Sequence, residues 1–384
     1  NPEHPPQKKH SAGRNCGLRQ STTMHFFPGI TPEQWQDWRW QRANSLTSLE
    51  ELQQRLALPA DSLAGRQATQ QRYPLLVTPY YLSLVESNDC QDPILRQCLP
   101  DPAELQDGPG EPDALAEERS SPVPRLVHRY PDRALFITGN YCAVHCRHCM
   151  RKRHWGLDMG SPSRSEIKAA AEYMRHQPGL REVLISGGDP LLLPETVLAE
   201  IIAEFSAVEN IQILRFGSRL PVTLPQRLEP DFCRLLASGK PAWLATHFNH
   251  ARELTPEAAR AADNLLRAGI PVVNQTVLLK GINDTPEALS ALLLGLLRLK
   301  IKPYYLFHGD PIAGTMHFRT GVEKGLELLD ALRGRISGLA LPAYAFDLPH
   351  GAGKIRLEPD VTLGKNSAGE VIYRNYAGLA VPYF

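Results

Sequence analysis

From residue 134 onward, short β-rich runs alternate with amphipathic helical patterns, and this alternation limits the possible folds more than any other feature of the chain. The runs are ALFITGN (134–140), EVLISGG (182–188), IQILRFGS (211–218), AWLATHFN (242–249), VVNQTVLL (272–279) and PYYLFHG (303–309). Helical patterns lie between them at 165–176, 194–207, 256–268 and 286–299. Strands joined through helices run parallel, with right-handed crossovers. Two architectures satisfy that pattern, a doubly wound sheet and an open or closed α/β barrel. The chemically capable residues decide between them, because they stand where the runs end. Asn140-Tyr141-Cys142 follows the first run, Gly187-Gly188-Asp189 the second and Gly217-Ser218-Arg219 the third. His247 and Asn249 end the fourth, Asn274 and Gln275 lie within the fifth, and Asp310 follows the sixth. In a barrel every strand C-terminus reaches one rim, where active sites form. An α/β barrel with its site on that rim is therefore expected.

The rest of the chain divides around this region. Residues 1–23 are polar, contain Pro and Lys and have no apolar h-region, so they read as a disordered leader, with Met24 a candidate start. Residues 24–125 form a helical N-terminal region and an arm. The pattern at 33–56 predicts one or two amphipathic helices, and a second helical stretch includes 79–86. Residues 100–125, rich in Pro, Asp, Glu and Ser, read as an extended arm rather than core. The barrel is placed at 126–340 and a C-terminal segment at 341–384.

Charge and hydropathy exclude several partners. Lys plus Arg number 42 against 41 for Asp plus Glu, so no nucleic-acid partner is expected. No apolar run approaches the roughly 20 residues of a membrane span, and a cytoplasmic address is expected. In such a reducing compartment, clustered cysteines favour metal ligation over disulfides. Of seven cysteines, Cys16, Cys90, Cys98 and Cys233 are scattered and read as ordinary thiols.

The other three form Cys142-Ala-Val-His-Cys146-Arg-His-Cys149. Structural zinc takes four ligands, commonly as two pairs from separate loops, and no partner CxxC exists elsewhere. Three thiolates on a [4Fe–4S] cluster leave one iron open to a non-protein ligand. The CxxxCxxC spacing, with His148 before the last cysteine, resembles the signature of the radical S-adenosylmethionine (SAM) superfamily, in which SAM chelates the open iron. Gly187-Gly188-Asp189 resembles that superfamily's motif for the SAM amino group. Near the C-terminus, Phe346-Asp347-Leu-Pro349-His-Gly351-Ala-Gly353-Lys354 sets a lysine behind glycines that let the backbone pass close to a ligand.

Taken together, the stretches HRYPDR (128–133), CRHCMRKR (146–153), ISGGDPLLL (185–193), GSRLPVTLPQR (217–227), THFNH (246–250), NQTVLLKGIND (274–284), PYYLFHGD (303–310), HFRT (317–320) and FDLPHGAGK (346–354) resemble the lysine 2,3-aminomutase family. The resemblance runs from about Gln34 to Val381. It implies a partial (β/α)6 barrel of the radical SAM type, a helical N-terminal region, a C-terminal segment with the lysine for pyridoxal phosphate (PLP), and a homo-oligomer, at least a dimer.

The resemblance also implies roles for individual residues. Lys354 would form the Schiff base with PLP, which requires a neutral amine. Arg129, Tyr130 and Arg133 would lie near PLP, with Ser218 and Arg219 as weaker candidates for its phosphate. His247 and Gln275 would contact SAM. Arg151 would clamp the substrate α-carboxylate, with Lys152 and Arg153 serving local electrostatics. Asp310 and Asp347 would hold a distant amino group, because two converging carboxylates repel unless a cation lies between them. Asp113 would be an acidic residue contributed to a neighbouring subunit. The implied reaction begins when an electron from a flavodoxin- or ferredoxin-type donor enters the cluster and cleaves SAM to a 5′-deoxyadenosyl radical. That radical takes a β-hydrogen from the PLP-bound amino acid, nitrogen migrates from Cα to Cβ, and the hydrogen returns.

Three positions depart from the family pattern. Thr285 follows Asn283-Asp284 where many relatives have Cys, and no cysteine follows Cys233, so no structural zinc is expected. His308-Gly309 precedes Asp310 in place of Gln-Cys, and His350 and Ala352 interrupt the glycine run. Lysine is the expected substrate, a free cationic amino acid. Arginine or ornithine fits the same carboxylates, glutamate fits them poorly, and a radical SAM reaction of another type is the remaining alternative.

Overall fold

The computed structural model describes residues 26–59, 63–87, 89–106 and 108–383. The expected leader, with Cys16, lies outside the described residues. Five short helices open the described chain: α1 (Pro32–Gln36), α2 (Trp38–Ala43), α3 (Leu49–Leu56), α4 (Arg66–Arg72) and α5 (Pro79–Leu82). The pattern at 33–56 thus yields three helices. Asp37 ends α1 and caps α2 by accepting from the Arg39 N–H, and Ser48 caps α3 through Glu51 N–H. A side chain that satisfies a free helical N–H starts a new helix there.

Nine strands then form one sheet in chain order. They are β1 (Leu126–Tyr130), β2 (Arg133–Ile137), β3 (Glu182–Ser186), β4 (Ile213–Gly217), β5 (Ala242–Thr246), β6 (Val272–Leu278), β7 (Lys302–His308), β8 (Ala343–Leu348) and β9 (Gly353–Leu357). All pairings from β2 to β8 are parallel, while β1 and β9 pair antiparallel at the two edges. Between the parallel strands run α6 (Arg164–Arg175), α7 (Glu195–Ser206), α8 (Leu220–Thr223), α9 (Pro230–Leu236), α10 (Pro256–Arg267), α11 (Pro286–Arg298) and α12 (Val322–Leu332). This is the nearly closed (β/α)6 barrel expected from the alternation, extended by β8 and its hairpin partner β9. A second antiparallel sheet follows: β10 (Thr362–Lys365), β11 (Val371–Arg374) and β12 (Ala380–Tyr383).

Packing explains the enclosure. In α6 the buried residues are Ile167, Ala170, Ala171 and Met174, and in α7 they are Leu198, Ile201, Ile202 and Phe205. In α11 Leu289, Leu292, Leu293 and Leu296 repeat the spacing. An i, i+3, i+4, i+7 stripe buries one helix face, and here that face lies against the sheet exterior. Strand β6 alternates fully buried Val272, Asn274, Thr276 and Leu278 with half-buried Val273, Gln275 and Val277. Val272 and Leu278 join the cores under the helices, so the intervening side chains face the barrel interior. Among the described residues no helix is long and apolar enough to cross a membrane.

Candidate active site

The loop from β2 to α6 carries the three cysteines, and backbone contacts hold it to the end of β3. Thr138 N–H donates to Ser186 O at 2.8 Å, Gly188 N–H to Gly139 O at 2.6 Å and Asp189 N–H to Tyr141 O at 2.6 Å. A Cβ on Gly188 would lie 2.4 Å from Tyr141 O and 2.7 Å from Asn140 C and Tyr141 N. Gly187 has φ +129° and the same close approach to Gly139. Both glycines therefore let the two loops touch, which is a requirement of packing before any ligand is considered.

Beneath the loop lies a fully buried charge group. Arg147 donates to both oxygens of Glu104 at 2.8 and 2.5 Å, and Lys152 Nζ reaches Glu104 at 2.6 Å and the carbonyls of Arg147 and Gly314. Burial draws the Lys152 amine down to about 8 against the pull of Glu104. Buried charges persist only when paired and hydrogen-bonded, and here the pairing fixes the cysteine loop. In the stretch 100–125, read from the sequence as an extended arm rather than core, Glu104, Ala114, Leu115 and Glu117 are all buried.

The three thiols are half-buried. Arg219 Nη1 donates to Cys146 Sγ at 2.9 Å and Arg151 N–H to Cys149 Sγ at 3.3 Å. Burial pushes the Cys142 and Cys149 thiols up. His148 contacts Asn249 Nδ2 through Nε2 at 3.2 Å, while its buried Nδ1 has no hydrogen-bond partner among the described residues. Among the described residues no three His, Cys, Asp or Glu side chains converge on a single-ion position. A four-iron cluster distributes its thiolates over different irons, so it does not ask for that convergence.

Arg219, at the end of β4, is the hub behind the cysteines. Besides Cys146 it donates to His247 O at 3.0 Å, Gln97 Oε1 at 2.6 Å, Glu253 Oε1 at 2.8 Å and Tyr81 OH at 3.3 Å. The structure thus brings Arg219 to the cysteine loop rather than to Lys354. Asp189 accepts from Ser218 Oγ at 2.7 Å, Arg219 N–H at 2.8 Å and Leu191 N–H at 3.2 Å, which ties the ends of β3 and β4 together. Burial lifts its carboxyl to about 6 against these donors. His247 is drawn down to about 4 by burial and by Arg219, and the Gln275 backbone lies beside it.

Across the barrel, the β8–β9 register sets Asp347 opposite Lys354. Lys354 Nζ donates to Asp347 Oδ2 and lies 4.1 Å from the Phe307 ring centre. Tyr130 OH donates to Asp347 Oδ1 at 3.3 Å, so β1 meets the hairpin at the other edge of the sheet. The Tyr130 ring carries the Arg133 guanidinium at 3.8 Å and Arg129 at 5.8 Å. Burial, and then the charge of Asp347, raise the Asp310 carboxyl to about 7 despite Lys354, Arg319 and Arg129 nearby. Arg319 braces the turn before Asp310 through Gly309 O at 2.8 Å and His308 Nε2 at 3.3 Å.

Arg151 forms a two-point ion pair with Glu117, Nε to Oε2 at 3.1 Å and Nη2 to Oε1 at 2.6 Å. Arg153 adds Glu117 Oε2 and Asp113 Oδ1, both at 3.1 Å. Asp113 also accepts from the Glu117 and Glu118 N–H groups at 3.1 Å, so it serves its own chain's turn in this structure. Burial alone would raise the Glu117 carboxyl, but Arg151 and then Arg153 outweigh it and hold it at about 2.

The sequence model of the Radical SAM superfamily matches residues 136–293, which span the end of β2, the cysteine loop, the Gly-Gly-Asp turn and β3 to β6. The Lysine-2,3-aminomutase model matches residues 329–384, which hold Asp347 and Lys354. A putative L-lysine 2,3-aminomutase of Aquifex aeolicus is 44% identical over 93% of this chain and 97% of its own length. The L-lysine 2,3-aminomutase of Clostridium subterminale is 40% identical over 93% of this chain and 86% of its own. The chain belongs to the lysine 2,3-aminomutase family. It is thus a radical SAM enzyme of aminomutase type, an isomerase, and the family implies a [4Fe–4S] cluster and SAM. The same family includes a glutamate 2,3-aminomutase of Clostridioides difficile, 35% identical over 91% of this chain and 83% of its own length.

Four supporting residues of this family member escaped the sequence reading: Glu104, Glu117, Glu253 and Arg319. The first two lie in a stretch whose composition signals solvent. Glu253 pairs with Tyr81, Gln97 and Arg219, which only the fold brings to it, and Arg319 reaches back to Gly309 O and His308 across the turn after β7.

Proposed function

We propose that this enzyme converts L-lysine to β-lysine with PLP as its second cofactor. The observation that carries this reading is the pair Asp310 and Asp347, two carboxylates that feel each other's charge in one partly buried site, with an alkylammonium, that of Lys354, already held by Asp347 over the aromatic ring of Phe307. A lysine substrate ends in the same group. Two carboxylates so placed would repel an anionic side chain, which disfavours glutamate.

The residues present fit the cofactors. Cys142, Cys146 and Cys149 would ligate the cluster, with N–H donors on Cys146 and Cys149 and the unpartnered His148 Nδ1 alongside. Gly187, Gly188, Asp189, His247 and Gln275 border the place SAM would take. Lys354 would bind PLP, with Arg129 and Arg133 supplying cations near its phosphate and the Tyr130 ring packed against both guanidinium groups. Ser218 and Arg219 are proposed to support the cysteine loop instead of the phosphate, because their donors are engaged there. Bound together, the cofactors supply hydrogen abstraction and nitrogen migration. The chain's own part is to hold the substrate. Arg151 turns a guanidinium edge toward the α-carboxylate. Asp347 and Asp310 would together hold the substrate's distal ammonium. The buried surroundings exclude water from the reacting carbons. A flavodoxin- or ferredoxin-type donor, a homo-oligomer and a cytoplasmic setting complete the reading.

Reduction with borohydride after incubation with PLP, followed by peptide mapping, tests the cofactor assignment. A phosphopyridoxyl group on Lys354 is expected; labelling of another lysine, or of none, contradicts it.

A further inference from the structure

The residues 113–120 touch both halves of the proposed substrate site. Ala114 O accepts from His350 N–H at 2.7 Å, on the loop before Lys354, and Leu115 O accepts from Arg129 Nη1 at 2.8 Å. Two residues on, Glu117 meets Arg151. Ala116 adopts φ +54° to make that turn, and Asp113 fastens it by accepting the N–H groups of Glu117 and Glu118. Glu117 is 1% exposed, and both its oxygens are engaged by Arg151 and Arg153.

The form of the Glu117–Arg151 pair determines what remains for a ligand. A guanidinium has five N–H donors in a fixed plane. Glu117 takes Nε and one hydrogen of Nη2. Nη1 makes no hydrogen bond among the described residues, so the outer edge, Nη1 with the second hydrogen of Nη2, is left. That edge is itself a two-point fork for a carboxylate. A lone arginine has several rotatable bonds and must be ordered by each ligand it meets, whereas one clamped from behind presents its edge ready-made.

We infer that Glu117 is a positioning residue that orients Arg151 for the α-carboxylate of the amino acid, and that residues 113–120 strap this end of the site to the Lys354 loop. The inference rests on the proposed function, since it takes Arg151 as the carboxylate contact.

The test uses the PLP-loaded full chain without SAM, so that binding is read without turnover. Calorimetry compares L-lysine with cadaverine, which keeps the chain and both amines but lacks the carboxylate. Glu117→Gln keeps the shape and removes the charge, and Glu117→Asp serves as the conservative rescue. The expected result is that Glu117→Gln weakens lysine by about tenfold, the loss of one charge-assisted contact, and leaves cadaverine within about twofold. Glu117→Asp should recover part of the loss, and in turnover KM should rise with kcat nearly unchanged. Equal weakening of both ligands would make Glu117 merely structural and overturn the inference. Tighter lysine binding would make Glu117 a competitor for the fork, and overturn it too. Arg151→Gln separates the two layers. If it weakens lysine and Glu117→Gln does not, the positioning role alone fails; if it leaves lysine unaffected, the carboxylate assignment fails and the inference with it.

Discussion

The raised carboxyl of Asp310 makes recognition of a cationic substrate dependent on pH near neutrality. Its value of about 7, against an ordinary 3.8, comes first from burial and then from the charge of Asp347. An acid of that strength is about one-tenth ionised at pH 6 and about nine-tenths at pH 8. The form that binds a cation is the ionised one, so binding competence is present above about 7 and lost below it. A lysine ammonium, with a pKa near 10.4, keeps its proton throughout. The affinity for lysine should therefore rise about eight- to tenfold between pH 6 and pH 8. Stability should run the other way. Between about 4 and 7 the unfolded chain releases the Asp310 proton while the folded chain keeps it, so the contribution of this group falls as pH rises through that window. The assay is calorimetric titration of the PLP-loaded protein across the range, with norleucine as the partner that lacks the ammonium. Cofactor titration would affect both ligands alike, and only lysine should show the added slope. Asp310→Asn should flatten it. A slope shared by norleucine, or one retained in Asp310→Asn, would refute the reasoning.

Two further perturbations test how the cysteine loop is held. Gly188→Ala drives a methyl into the backbone of Asn140 and Tyr141; overpacking of this kind costs about 1–3 kcal/mol, and urea unfolding should show it together with less iron bound after anaerobic reconstitution. Unchanged stability and iron would mean that the two loops do not touch as described. Glu104→Ala leaves the buried cations of Arg147 and Lys152 unpaired, and the loss should be about 3–5 kcal/mol in the same assay; a loss below about 1 kcal/mol, the range of exposed pairs, would contradict the buried triad.

Much of the barrel was legible because its signals are local. Each of the six β-rich runs overlaps a strand, and the helical patterns at 165–176 and 256–268 end within one residue of α6 and α10. The runs overshoot at their C-termini, at 138–140 and 187–188, where Gly139 and Gly187 take up positive φ and turn the chain out of the strand. The hairpin of β8 and β9 was read only as a glycine-rich lysine loop, since glycines at 351 and 353 mask the strand pattern on either side. The one or two helices expected at 33–56 became three because the cap at Asp37 depends on a single side chain. The arm misled most: Glu104 and Glu117 look solvated in sequence, and are buried because arginines and a lysine from the cysteine loop meet them. The engagement of Arg219 with Tyr81, Gln97 and Glu253 joins residues up to 138 positions apart, a relation no local pattern encodes.

The central claim is the lysine reaction itself. Its most direct test is anaerobic incubation of the reconstituted enzyme with SAM, PLP, dithionite and a mixture of lysine, arginine, ornithine and glutamate, with β-isomers read by mass spectrometry. The account predicts β-lysine as the main product, and its loss in Asp310→Asn and Asp347→Asn. β-Glutamate as the main product, or SAM cleavage with no β-isomer, would contradict it.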